Sequence, residues 1–309
     1  MVENNEVSFG GGSRHEREVI ACCDTNGLVP EIVIAGKFVK VVKLRNEWYD
    51  FVEDPAEFIS ALKKSNANAD LFTFLQEPDE LQPKYPFYLE YDSVSVVPIS
   101  TYENWLKKQI NDKTRNMIRK AAKAGVELRP VELDANFIEG VVGIYNESPV
   151  RQGKRFWHYG MNALGVRAHL NTFAERSHFV GAFHGGELIG FFKLTRNKNS
   201  ASLMQIISKV AHRDKAPNNA LLAKAVEMCA ESEIPYLQYG IWSHGGLGDY
   251  KRRHGFVPFD VPRYYIPLSA IGRLVLGRGL HRGLAKLIPE TFRNRLLSLR
   301  EKWYSYRYR

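Results

Sequence analysis

The stretch ALLAKAVEMCAESEIPYLQYG, Ala220 to Gly240, followed shortly by GGLGDYKRRHGF, Gly245 to Phe256, decides the fold. In its first half Leu221, Leu222, Ala225, Val226 and Cys229 recur at three- and four-residue spacing, the period of a helix with one buried face. Pro217 sits where a helix tolerates proline best, at its opening. YLQYGIW, Tyr236 to Trp242, is rich in strand formers, and GGLGDYKRRHG reads as a short helix stopped by Gly255. Working upstream, SASLMQIISKV (Ser200 to Val210) is a strand. HFVGAF-HGGE-LIGFFKLTR (His178 to Arg196) is a hairpin whose Gly185 and Gly186 supply the positive φ of a tight turn. Before it come the strand VELRPVE and a helix from Ala135 to about Asn146. Before those, a long helix begins at Thr101, with Trp105, Leu106, Ile110, Met117, Ile118, Ala121 and Ala122 on one face and Gly125 as its cap. Downstream, FVPFDVPRYYIPL closes the series. The order predicts an α/β protein, a mixed (α+β) sheet with helices on its faces.

The first hundred residues read as a lobe of their own. IVIAG, FVKVVKL and WYDFV between Glu31 and Phe51 are expected as paired strands with a turn near Gly36. Asp54 and Pro55 open a helix through Phe58, Ile59 and Leu62. LFTFL and YPFYLEYDSVSVV follow as strands, closed by Pro98. The expected organisation is a disordered N-terminus over residues 1–14, an N-terminal lobe over 15–100, a second domain over 101–268 and a basic amphipathic tail over 269–309.

A hydrophobic content of 44% with 12% aromatics is that of a folded chain. Neither a secretory signal nor a run of about 18 apolar residues is visible, so a cytoplasmic protein is expected. Cys22, Cys23 and Cys229 are too few for a disulfide framework or a zinc site, and no metal is expected. From Ala270 to Arg309, ten Lys or Arg stand against Glu290 and Glu301, a balance of +8 in a chain whose net charge is +9. The rest is close to neutral, which argues against a chain-wide nucleic-acid surface. Leucines and isoleucines interleave with that charge in the tail, and Trp303, Tyr304, Tyr306 and Tyr308 follow. This is the pattern of an interfacial anchor, and peripheral contact with the inner membrane face is the expectation. Packing of the tail on its own domain is the alternative.

The order of elements, with ALLAKAVEMCAESEIPYLQYG and GGLGDYKRRHGF, resembles the acetyl-CoA-dependent N-acetyltransferase (GNAT) superfamily. TRNMIRKAAKAGVELR and YKRRHG resemble its FemAB-like branch, whose members often carry two GNAT-like lobes in tandem. The resemblance implies an acyltransferase with acetyl-CoA or another acyl-CoA as co-substrate. It also implies a helix after the domain's fourth strand whose first amides hold the coenzyme A pyrophosphate. The matching loop is Arg213-Asp214-Lys215-Ala216-Pro217-Asn218-Asn219. It departs from the usual pattern, because other residues fill both of the loop's spaced glycine positions. Lys209, His212, Arg213, Lys215, Asn218 and Asn219 are the candidate cofactor-binding residues.

The acceptor is expected at SPVRQGKRFWHYG, Ser148 to Gly160, together with the fourth strand. Arg151, Gln152 and Arg155 suit an anionic acceptor such as a nucleotide- or lipid-linked amino sugar, Trp157 a stacking platform, and Gln205 a polar contact inside an apolar strand. His158 and Tyr159 are candidates for proton transfer. Tyr250 lies near the tyrosine that acts as general acid in many GNAT enzymes, with one residue more before Gly255; Lys251 matches the FemAB-like pattern better. Direct transfer needs no covalent nucleophile, in keeping with the lack of a Gly-x-Ser-x-Gly elbow. The expected function is transfer of an acyl group, acetyl above all, from acyl-CoA to an amine, with an amino sugar or other precursor of a cell-surface polysaccharide as the expected acceptor. A FemAB-type transferase taking its acyl group from aminoacyl-tRNA, and a non-catalytic GNAT-like binding module, are the alternatives.

Overall fold

The structure, a computed structural model, describes residues 16–21, 31–65, 67–151 and 153–281. The expectations for residues 1–14, Gln152, Cys22, Cys23 and the tail beyond His281 lie outside the described residues.

Along the chain come β1 (Glu16–Ala21), β2 (Glu31–Ala35), β3 (Val41–Leu44), α1 (Pro55–Lys64), β4 (Leu71–Leu75) and β5 (Tyr88–Pro98). Next are α2 (Tyr102–Asn104), α3 (Asp112–Lys123), β6 (Glu127–Val131), α4 (Ala135–Asn146), the two-residue strands β7 (Val150–Arg151) and β8 (Lys154–Arg155), and α5 (Ala163–Leu170). β9 (Ser177–His184), β10 (Glu187–Arg196), β11 (Ser200–Ser208), α6 (Pro217–Glu231), β12 (Tyr236–Ile241), α7 (Gly245–Arg253), β13 (Val257–Pro267) and α8 (Ala270–Gly277) complete the series. Two compact units divide it. Among the described residues, the first takes 16–93 and 259–281 and the second 94–258.

In the first unit β1, β2 and β3 form an antiparallel meander, and β3 then runs parallel to β4, which pairs antiparallel with β13. Strand alternation splits the core in two. Ile32, Ile34, Val42, Phe72, Phe74 and Tyr264 pack with Leu62 of α1. Leu71 and Tyr265 pack with Val275 and Leu276 of α8. Asp54 caps α1 through the amides of Ala56 and Glu57, as its position predicts. The WYDFV segment, expected as a strand, turns instead, with the Tyr49 amide donating to Asn46 O at 2.8 Å. The physical reason is burial: Glu47 is only 6% exposed and its carboxylate meets Arg263 Nη1 at 2.8 Å, a contact a surface strand would forgo.

In the second unit the strand order is β5-β12-β11-β10-β9-β6, all neighbours antiparallel except β11 and β12. Adjacent residues of β10 face opposite sides. Phe192 joins Ala121 of α3 and Leu222, Val226 and Cys229 of α6 in one core, whereas Phe191 joins Phe137, Val141 and Tyr145 of α4 and Val166 of α5 in another. The hairpin turn has Gly185 at φ 58° and Gly186 at φ 83°, as expected. The single long helix expected from Thr101 is instead broken. α2 passes into a π turn over Trp105–Gln109, Ile110 is extended, and Asn111 caps α3 afresh. Arg115 fills the break, its Nη1 donating to Leu106 O at 2.9 Å and Ile110 O at 2.6 Å, so the carbonyls released by the kink keep a partner.

Candidate active site

The site begins where two parallel strands part. β11 and β12 are paired from Ser200↔Tyr236 to Ser202↔Gln238 and no further, although β11 continues to Ser208 and β12 to Ile241. The cause lies in β12. Its register against β5 shifts between Gln238 and Ile241, and Gly240 takes φ 57°, a bulge that bends the strand away. Side chains of β11 respond: Ser200 to Leu203 are buried, Met204 to Ile207 only half so. At the apex, Ser202 Oγ lies 3.5 Å from Gln238 Oε1 with both residues fully buried, and Gln238 Nε2 has no protein partner.

α6 opens at the mouth of this cleft. Ala216 precedes it at φ 57°, Pro217 is its first residue, and no side chain caps it. A three-residue-per-turn segment, Val210–Lys215, leads in and leaves Arg213 exposed. Ala216 stands at one of the two positions where the sequence lacks a glycine, and its backbone keeps a left-handed conformation there. Lys215 Nζ is 3.5 Å from Asp214. Tyr250 of α7 donates its hydroxyl to Asn218 O at 2.9 Å, and Asn219 Oδ1 lies 3.1 Å from His254 Nε2. Burial pushes the Tyr250 phenol well above its usual range and takes His254 down to about 4. At neutral pH His254 is therefore neutral, with one ring nitrogen facing the Tyr250 carbonyl at 2.7 Å and the other facing Asn219 Oδ1. Lys251 turns inward and is 3% exposed. Its Nζ donates to Ile241 O at 2.8 Å and lies 4.7 Å from the centre of the Tyr239 ring, which fixes the departing end of β12.

The other wall comes from α4, the β7–β8 hairpin and α5. Arg151 donates to Ser208 O at 2.7 Å and Ile144 O at 2.6 Å, fastening the end of α4 to the end of β11. Burial pulls its pKa down, and Glu147 at 3.3 Å opposes that shift. Glu147 also accepts the amides of Val210 and Ala211. His158 points inward, stacked on Tyr145 at 4.6 Å and 4.8 Å from the His169 ring. Burial, assisted by the Arg151 charge, takes His158 to about 4. Tyr145 donates its hydroxyl to Gln205 Oε1 at 2.6 Å, and burial raises its pKa. Trp157 is 62% exposed and Tyr159 48%, with the Arg155 guanidinium 5.9 Å from the Trp157 ring.

Two groups of the expected site residues are thus assembled. Arg213, Asn218, Asn219 and Tyr250 gather at the first turn of α6, and Arg151, His158 and Gln205 gather through Tyr145. Lys209 and His212 are drawn elsewhere, to Glu187 at the β9–β10 turn. Sequence reasoning passed over Tyr145, Glu147, Gln238 and His254. Tyr145 and Gln238 sit in apolar runs where a core reading is natural, and Glu147 shows its role only once α4 and β11 are brought together. Cys229 is buried, which raises its thiol to about 12 and makes it inert as a nucleophile. Among the described residues no group of His, Cys, Asp or Glu could hold a metal ion.

Residues 112–252 match the family described as acetyltransferase (GNAT) domain. No curated protein matches the sequence. Among solved structures, FemX is similar at 10% identity and a TM-score of 0.57, over 80% of this chain and 87% of that one. The C-terminal domain of a protein assigned as a lysylphosphatidylglycerol synthetase from Agrobacterium fabrum is similar at 13% identity and a TM-score of 0.53, over 80% and 83%. At such identities the likeness concerns the fold. With α6 opening after β11, at the mouth of parted parallel strands, the geometry agrees with the match of residues 112–252 to the acetyltransferase (GNAT) domain, and the chain carries the fold of an acyltransferase.

Proposed function

We propose that the second unit moves an acyl group, acetyl in the simplest case, from acyl-CoA to the amine of a polar acceptor, and that the acceptor is an amino sugar or similar precursor of a cell-surface polysaccharide. The observation that carries this reading is the cleft between β11 and β12, with the uncapped first turn of α6 and Arg213 at its mouth. A helix N-terminus without a side-chain cap and a guanidinium suit a diphosphate, and a thioester arm running between strand edges would bring its carbonyl toward Gln205. The acceptor nitrogen attacks that carbonyl, the C–S bond breaks, coenzyme A leaves as thiolate, and the ammonium formed gives up one proton. His158, held near 4, is a weak base, so we assign the proton to solvent. Tyr145 and His158 serve by holding Gln205 oriented. Trp157 and Arg155, exposed on the β7–β8 side, suit the sugar face and an anionic group of the acceptor.

A second reading takes the acyl group from aminoacyl-tRNA. It draws on the exposed Lys113, Arg119, Lys120 and Lys123 of α3 and on likeness to FemX. One assay separates the two: thiol release from acetyl-CoA across a panel of free and nucleotide-linked amino sugars, with Trp157→Ala in parallel. Our reading expects release with at least one of them and a KM for it raised about tenfold by the substitution, the loss of one stacking contact. Transfer from charged tRNA, abolished by salt, with no thiol release from acetyl-CoA, would favour the second reading.

A further inference from the structure

The first unit presents an apolar and basic face that the proposed chemistry does not use. Phe38, at the tip of the loop between β2 and β3, is 86% exposed, the highest value among the described large apolar side chains. On α8, Ile271 is 54% and Leu274 53% exposed, one helical turn apart and on the same side. The loop and the helix are neighbours, since Val39 and Val41 pack into the cluster that Val275 and Leu276 make with Leu71 and Tyr265.

One side chain clasps them together. Asp70 accepts the Lys40 amide on Oδ2 at 2.9 Å and the Ser269 hydroxyl on Oδ1 at 2.6 Å, and Ser269 Oγ in turn caps α8 by accepting the Gly272 amide at 3.0 Å. Gly272 presses on the same point, because a Cβ there would stand 1.9 Å from Asp70 O. The apolar tip and the apolar stripe therefore keep a fixed relation.

Exposed cations flank them. Lys37 lies 5.6 Å from the Phe38 ring, Arg273 is exposed on α8 beside Ile271 and Leu274, and Arg278 is exposed just after the helix. Beyond α8 the sequence continues basic, with eight Lys or Arg from Arg282 to Arg309 against Glu290 and Glu301. Exposed aliphatic and aromatic side chains ringed by cations fit the boundary between headgroups and acyl chains of an anionic bilayer, where the apolar groups leave water and the cations stay at the phosphates.

We infer that Phe38, Ile271 and Leu274, with Lys37, Arg273 and Arg278, form a docking face for an anionic lipid surface. The contact is thereby assigned to described residues of the first unit, and it does not depend on the acceptor chosen above. Co-sedimentation of the full chain with vesicles tests it, using phosphatidylcholine alone and phosphatidylcholine with one third phosphatidylglycerol. Three proteins are compared: wild type, the double variant Phe38→Ser, Leu274→Ser, and the double variant Arg273→Glu, Arg278→Glu. All the changes are at exposed positions, and an unchanged melting temperature verifies folding. The expected result is wild-type binding to the anionic vesicles alone, weakened at least tenfold by either pair. Binding unchanged in both variants would overturn the inference and leave the basic tail as the contact. Wild type that ignores both vesicles, or that is a dimer in light scattering and becomes monomeric in the Phe38→Ser, Leu274→Ser variant, would equally overturn it, the second by assigning the face to another copy of the chain.

Discussion

Tyr145 shows how a residue can be decisive without being conspicuous. Its hydroxyl is buried in an apolar cluster and donates to Gln205, so Tyr145→Phe removes that hydrogen bond and frees Gln205 to rotate. Stability should fall by about 1 kcal/mol, the net worth of one such bond, while turnover falls more steeply than KM rises; steady-state kinetics beside a denaturant curve checks both. His254 makes a prediction in pH. Its folded value of about 4 lies below the ordinary 6.5, so the unfolded chain binds the proton first. Its contribution is intact above 6.5 and is lost as pH falls toward 4, by roughly 3 kcal/mol in all. His254→Gln should flatten the stability profile across that window, as read by melting temperature against pH. The charged and aromatic residues between Ser148 and Gly160 were conspicuous in sequence because they interrupt an otherwise ordinary segment. Direction was not legible: Arg151 and Lys251 read as ligand contacts, but their cationic ends reach backbone carbonyls of Ser208, Ile144 and Ile241.

At the scale of elements, periodicity identified α1, α4, α6 and the β9–β10 hairpin, since each has a single regular face to bury. It missed the break before α3, because Leu106, Ile110 and Ala121 keep helical spacing across it and pack in one core. The break depends on Asn111 and on Arg115 filling the carbonyls, a relation among polar residues that an apolar period does not record. The lead-in to α6 makes a further prediction. Ala216 holds φ 57°, where a Cβ is strained and glycine is not. Ala216→Gly should therefore stabilise the protein, or leave it unchanged, by up to about 1 kcal/mol, despite glycine's greater freedom in the unfolded chain. A loss of more than that in a melting curve would show that the methyl group has a packing role.

On the scale of the molecule, a mixed sheet with helices on its faces was readable from the succession of elements in the second unit. The strand order of the first unit was not, because its third strand pairs in parallel with a strand reached through α1 and its last strand comes from far along the chain. That last strand brings Arg263, buried at 5% exposure between Glu47 and Asp92. Burial alone would raise the Glu47 pKa, yet the net shift is downward because Arg263 and Lys43 stand beside it. Arg263→Ala would strand two carboxylates and should cost about 3–5 kcal/mol in urea unfolding; Arg263→Met together with Glu47→Gln should recover part of it.

The central claim is that the second unit holds acyl-CoA with its diphosphate at the start of α6, and calorimetric titration with acetyl-CoA tests it most directly, in wild type and Arg213→Ala. The account predicts micromolar binding by wild type and about tenfold weaker binding by the variant, the loss of one charge-assisted contact. Wild type that binds neither acetyl-CoA nor free coenzyme A, or a variant that binds as tightly as wild type, would contradict it.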